Sequence, residues 1–139
     1  MYEIIPDLWV SKTKDIHMSS NSIHINCSDD LKFMGRFKEY KNEIKKNIIR
    51  YEIQKLYEYT VKTIQKIDTL LKNNTTVIVS CVSCTQLSPL IIISYIIKFG
   101  NLNKNIAIEL FKTKKENIAE ESLYFDAILN KISSKNIYN

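Results

Sequence analysis

The stretch "VIVSCVSCTQLSPLIIISYIIKFG", residues 77–100, decides how this chain is read. Residues 75–81, "TTVIVSC", are β-branched and apolar, the pattern of a central strand covered on both faces. A short polar segment follows. Ser88 suits a helix N-cap and Pro89 the first helical position, which predicts a helix that runs to a stop at Gly100. A loop between a strand and a helix N-terminus gathers backbone N–H groups into an anion nest. A cysteine at the start of such a nest has its thiol pKa lowered by the same field and becomes a nucleophile. Cys81 holds that position, and Ser88 opens the helix seven residues later.

Outward from this loop the chain reads as a single α/β domain, 1–139, with a central, mostly parallel sheet flanked by helices. "EIIPDLWVS" is expected to form a short strand pair or edge, with Pro6 at an edge or turn. "SIHINCS" alternates Ile23, Ile25 and Cys27 with His24 and Asn26, as a half-buried strand does. Residues 30–50 read as loop with a helical piece near 37–46. From 52, Ile53, Leu56, Tyr57, Val61, Ile64, Ile67 and Leu71 recur at spacings of three and four, one apolar helix face. Asn73 and Asn74 end it. Asn103 is expected to cap "KNIAIELFKTKKEN", and "ESLYFDAILNKI" forms a last amphipathic helix.

The totals bound the function. The chain has 139 residues, 45% apolar and 25% charged, and its length suits one sizeable core. Its longest apolar run is too short to span a bilayer. No basic leader followed by an apolar segment is present, so no secretory signal is read. Three cysteines without such a signal imply free thiols in a reducing compartment, the cytoplasm. The net charge of +5 favours acidic partners. Its lysines are dispersed, without a compact run or interleaved aromatics, which argues against nucleic acid. Arg36 and Arg50 are the only arginines.

Around Cys81 the chain resembles the Cys-x5-Arg signature of cysteine-dependent protein phosphatases, in the dual-specificity branch that reads His-Cys-x-x-Gly-x-x-Arg-Ser. "IIPDLWVS" is similar to that family's opening strand and "SIHINCS" to its strand that reads hydrophobic-x-hydrophobic-Asn. "SYIIKFGNLNKNIAIELFKTKKENIAEESLYFDAIL" is similar to its closing helices, including Ala107 and Phe125. The length matches the compact viral, poxvirus-like members. The resemblance implies a dual-specificity-phosphatase-like fold with a phosphate loop of Cys81, Val82, Ser83, Cys84, Thr85, Gln86, Leu87 and Ser88. Ser80 then stands at the histidine position, Cys81 at the nucleophile, Cys84 at the loop glycine and Leu87 at the arginine.

The departures carry the functional expectation. The family's arginine grips two phosphate oxygens and stabilises transition-state charge; Leu87 does neither. The family's general-acid aspartate lies about thirty residues before the cysteine, ahead of the long helix. This chain reads "NIIRYEIQ" there, with Glu52 the nearest carboxylate. An ordinary first-turn glutamate is the plainer reading of Glu52. Cys84 puts a Cβ where glycine lets the backbone approach an anion. Loss of the acid costs on the order of 10²- to 10⁴-fold, and loss of the charge-stabilising donor on the order of 10²- to 10³-fold. Cys81 also lacks a neighbouring cation to lower its pKa.

The expectation is a catalytically inactive pseudophosphatase that acts by binding protein: a phosphoprotein, a kinase or an active phosphatase. Homodimerisation through the first segment, and a viral setting in host cytoplasm or virion, follow from the resemblance alone. The alternative is a weakly active phosphatase with Cys81 as nucleophile, Glu52 as acid and a lysine or Arg36 as cation.

"CVSC" is also a Cys-x-x-Cys at a strand–helix junction, the place of redox motifs. With Pro6 and Pro89 the only prolines, no candidate for the later cis-proline loop of that fold exists, although Cys81 and Cys84 could join under oxidation. Cys27, Cys81, Cys84, His17 and His24 show no zinc-finger spacing, so neither a metal nor a cofactor is expected. His17 and His24 read as surface or strand-edge residues, Cys27 as core and Trp9 as a packing residue.

Overall fold

A computed structural model describes residues 1–17, 21–27, 43–81, 84–118 and 123–137. Strands β1 (Tyr2–Ile5) and β2 (Leu8–Lys12) form an antiparallel hairpin. Pro6, which fixes φ near the turn value, and Asp7 at φ 67° make its corner. A short 3-10 turn, Thr13–Asp15, follows, then β3 (Ser22–Asn26), α1 (Glu43–Lys72) and β4 (Thr76–Cys81). Helices α2 (Leu87–Gly100), α3 (Lys104–Lys112) and α4 (Leu123–Ile137) complete the chain.

The four strands order as β1-β2-β4-β3, with β4 parallel to both β2 and β3. The result is an α/β domain on a mixed sheet, and β4 is its central strand. Every residue from Val77 to Cys81 is buried, as the unbroken apolar run requires. Strand alternation sends Leu8, Val10, Val77, Val79 and Cys81 into one core with Leu56, Ile67, Leu90 and Phe125. Trp9, Ser11, Ile78 and Ser80 belong to the opposite face, where Trp9 lies beside Ile78 and Ser11 beside Ser80. Ala107 and Phe125 are both core residues. Cys27 is fully buried as expected, but Ile23 is 39% exposed, because β3 is an edge strand.

Helix α2 is apolar on every side, and Leu87 through Ile97 are all buried. It packs on β4 and β2 and against α1, α3 and α4, the position such a helix requires. Its N-terminus departs from expectation. Gln86, not Ser88, is the N-cap, and Leu90 N–H closes the first turn on Gln86 O at 3.0 Å. Ser88 and Pro89 therefore lie inside the first turn, where a proline's missing N–H costs no helical bond. At the other end the helix runs to Gly100 as expected, while Asn101, not the glycine, takes the left-handed turn at φ 53°. Asparagine tolerates that region better than other residues with a Cβ.

Helix α1 is longer than its apolar face suggests. It is already helical at Glu43, so residues 43–46 are helical as expected, and 47–50, expected to be loop, continue the same helix. Residues 28–42, with most of the helical piece expected at 37–46 and with Arg36, lie outside the described residues. Thr60 and Thr63 are buried on α1, and their hydroxyls donate to the carbonyls of Leu56 and Tyr59 one turn back, which satisfies them without a distant partner. The Asn103 cap forms as expected: its side chain accepts from Ile106 N–H at 2.9 Å. Among the described residues no helix is long and apolar enough to cross a membrane.

Candidate functional site

β4 delivers Cys81 to the end of the central strand, and α2 begins directly beyond the loop, so the thiol sits under a helix N-terminus. Val82 and Ser83 lie outside the described residues. The rest of the loop is built around the Cys81 sulfur. Its Sγ is 3.1 Å from the Ser88 hydroxyl, and the backbone N–H groups of Ser88, Gln86 and Cys84 point to it. Burial pushes the Cys81 thiol up, but these hydrogen bonds outweigh it and hold the pKa below the ordinary thiol value. The nest therefore lowers the cysteine's pKa without an arginine, where the sequence led us to expect that loss of the cation to be felt. Ser88 does its work here as a partner of Cys81, not as a cap.

Cys84 sits at φ 59°, the left-handed conformation that makes glycine the usual occupant of such a position. Its Cβ costs roughly 1–2 kcal/mol there. Cys84 is 1% exposed. Burial pushes its thiol pKa up, the Lys115 ammonium opposes that, and the Cys81 sulfur adds to it. Cys81 and Cys84 are both free thiols.

Leu87 is fully buried and belongs to the main core. Its side chain packs inward, so the position at which the resemblance places the phosphate-gripping residue is part of the hydrophobic interior. Cys81 is likewise 0% exposed.

Glu52 is far from the first turn of its helix, since α1 starts at Glu43. It is 3% exposed and accepts a hydrogen bond from the Tyr124 hydroxyl at 2.6 Å, a tie between α1 and α4. Glu52 does not line the cleft at the loop. Arg50 lies on α1, two residues before it.

His24 is half-buried on β3, with Nε2 2.6 Å from the Ser80 hydroxyl, which lies 3.3 Å from Thr13 Oγ1. Burial lowers the His24 pKa. Ser80, at the histidine position of the resemblance, thus has an imidazole beside it from the neighbouring strand. The pairing of Asn26 with Ser80 in the parallel register brings the two together.

Above the loop lies an open cleft of about 670 Å³, reached by Cys84 and Thr85 and bounded by Lys12, Lys114 and Lys115. Lys12 ends β2, which runs beside β4, and the other two follow α3. Neither His24 nor these lysines were among the residues read from sequence as functional. For Lys114 and Lys115 the sole sign was their adjacency in "KTKKEN", residues 112–117. Among the described residues no group of three His, Cys, Asp or Glu side chains could hold a metal ion.

The thiol chemistry gives a direct test. Ser88→Ala is expected to move the Cys81 titration to higher pH, read as thiolate ultraviolet absorbance and identified by its loss in Cys81→Ser. A thiol whose folded pKa is depressed adds stability above its unfolded pKa and loses it as pH falls through the folded value. The destabilisation by Ser88→Ala is therefore expected to be greatest at alkaline pH and to fade on acidification.

A comparison with protein-family models and with curated proteins gives no match.

Proposed function

We propose that this chain is a catalytically silent, dual-specificity-phosphatase-like domain that works by binding protein through the face around the Cys81 loop. The observation that carries this reading is the combination of Cys84, Gln86 and Ser88 N–H groups gathered on the Cys81 sulfur with a fully buried Leu87. The described part of the loop supports a negative charge at Cys81, and the side chain that would clamp and neutralise a transferring phosphoryl group is turned into the core. Preorganised charge at the reacting centre is usually the largest part of such catalysis, and the buried, tied carboxylate of Glu52 supplies no acid at the cleft. The strand–loop–helix around Cys81, the hairpin before it and the three closing helices agree with the resemblance in the sequence.

Hydrolysis of a small aryl phosphate, followed from acidic to neutral pH, tests this. The native chain and Cys81→Ser are expected to give the same background rate. A second reading, a slow phosphatase, draws on the lowered Cys81 pKa. Turnover in the native chain that disappears in Cys81→Ser would establish it and end the first.

A further inference from the structure

The C-terminal end of α2 opens onto a second surface. Two hollows of about 170 and 350 Å³ lie along the seam between α1 and α4, and Tyr57 lines both. The α1 wall runs from Gln54 to Gln65, about 16 Å or three helical turns. Buried Ile64 and Ile132 floor the seam with Tyr57, and Val61 is half-buried beside them. Phe99 is 38% exposed at one end. Its ring is stacked on Tyr95 with centroids 5.1 Å apart, which limits the motion of an aromatic side chain open to solvent. Leu87, beside the Cys81 loop, and Phe99 stand at opposite ends of α2, about 18 Å apart along its axis.

We propose that this groove docks an acidic amphipathic helix of a partner protein, its apolar stripe on Tyr57 and Phe99 and its carboxylates on Lys98 and Lys131. The walls select a helix. Their main-chain groups are already bonded within α1, α2 and α4. An extended segment laid there would leave its own N–H and C=O groups without partners, whereas a helix brings them satisfied. Three turns of wall match anchors at positions i, i+3 or i+4, and i+7 of such a helix. The charge selects its flanks. Lys98 stands in one hollow and Lys131 in the other, and among the described residues no carboxylate lines either. Glu58 follows Tyr57 in sequence but is exposed outside both hollows. The ion pairs among the described residues are Lys72 with Asp68 and Lys104 with Asp126, so neither groove lysine is neutralised. Lys131 Nζ lies 5.3 Å over the Tyr57 ring and donates to Gln54 Oε1 at 3.4 Å, which sets its charge at the rim and leaves further donors for a carboxylate. A second copy of this chain, at a net charge of +5, meets those lysines with more of the same sign.

Fluorescence anisotropy on the full chain tests the assignment with three labelled peptides. One is a helical peptide with leucines at i, i+4 and i+7 flanked by glutamates. The second carries lysine for every glutamate, and the third is the acidic peptide scrambled. The acidic helix is expected to bind, and the other two roughly tenfold or more weakly. Phe99→Ala should weaken binding roughly tenfold or more, the scale of an aromatic anchor. Lys98→Glu with Lys131→Glu should reverse the preference, so that the lysine peptide binds better than the acidic one. Lys14→Glu, at an exposed lysine outside the groove, should change affinity by less than about twofold, since screening confines exposed charges to short range. Melting curves confirm that each variant is folded. Absence of binding by the acidic helix, equal binding of the scrambled peptide, or indifference to Phe99→Ala or to the double reversal would each overturn the proposal. A homodimer in sedimentation that Phe99→Ala dissolves would overturn it too, by assigning the groove to a second copy. None of these outcomes bears on the Cys81 loop, so the pseudophosphatase reading stands or falls separately, on the aryl phosphate assay.

Discussion

Leu87→Arg is expected to destabilise the domain severely and to recover no phosphatase activity. Placing an arginine there, as in the signature that the loop resembles, is the obvious way to seek phosphatase activity, and the fold argues against it. Leu87 is 0% exposed and packs in the same core as Leu90, Ile91 and Cys84. Truncating a leucine in such a place typically costs about 2–5 kcal/mol. The arginine adds a guanidinium that must be buried without a partner or forced out with the first turn of α2. A loss of about 3–5 kcal/mol is expected, comparable to an unpaired buried charge, and marginal domain stability makes that enough to unfold much of the population. Urea or thermal unfolding reads it. Leu87→Met, which conserves volume, is the control and should cost less than about 1.5 kcal/mol. A folded Leu87→Arg protein that hydrolyses phosphate would mean that position 87 can turn toward the loop, and would remove the main support for a silent site.

The same residue shows what sequence could and could not say. The identity of Leu87, and with it the missing guanidinium, is plain from spacing relative to Cys81. Its burial is not, because a leucine facing an empty nest and one facing the core have the same letter and the same neighbours. β4 was legible because an unbroken β-branched run has one comfortable place, the middle of a sheet. Asn103 was legible because capping is a local bond. Ser88 was misplaced for a related reason: its hydroxyl can serve a cap or the Cys81 sulfur, and a one-residue shift in the helix start decides which. The start of α1 was missed because the stretch before residue 52 is rich in lysine and asparagine, which thins the apolar stripe. His24 beside Ser80 requires the β3–β4 register, and Lys115 beside Cys84 requires the path after α3. Both are long-range consequences of topology that no local pattern encodes.

Glu52 is the residue where the two accounts of the site diverge most sharply, and its removal is expected to act on stability alone. Its carboxylate accepts from the Tyr124 hydroxyl at 2.6 Å, with both residues nearly inaccessible to solvent. Tyr124 is among the largest fully buried side chains, so the bond fastens α4 to α1 at a point where water cannot replace either partner. Tyr124→Phe is expected to cost about 1–3 kcal/mol, the range for leaving a buried polar group a bond short. Glu52→Ala should cost at least as much, since it adds a cavity to the lost bond. Glu52→Gln keeps the shape and one acceptor and should recover most of the loss. Because the residues touch, the double variant should fall short of additivity, with a coupling of about 1 kcal/mol or more in unfolding experiments. A general acid would behave otherwise. Glu52→Gln would then leave stability nearly untouched and abolish a Cys81-dependent rate, and Tyr124→Phe would alter the pH profile of that rate. The coupling measurement separates a carboxylate that holds two helices together from one that gives a proton to a leaving group.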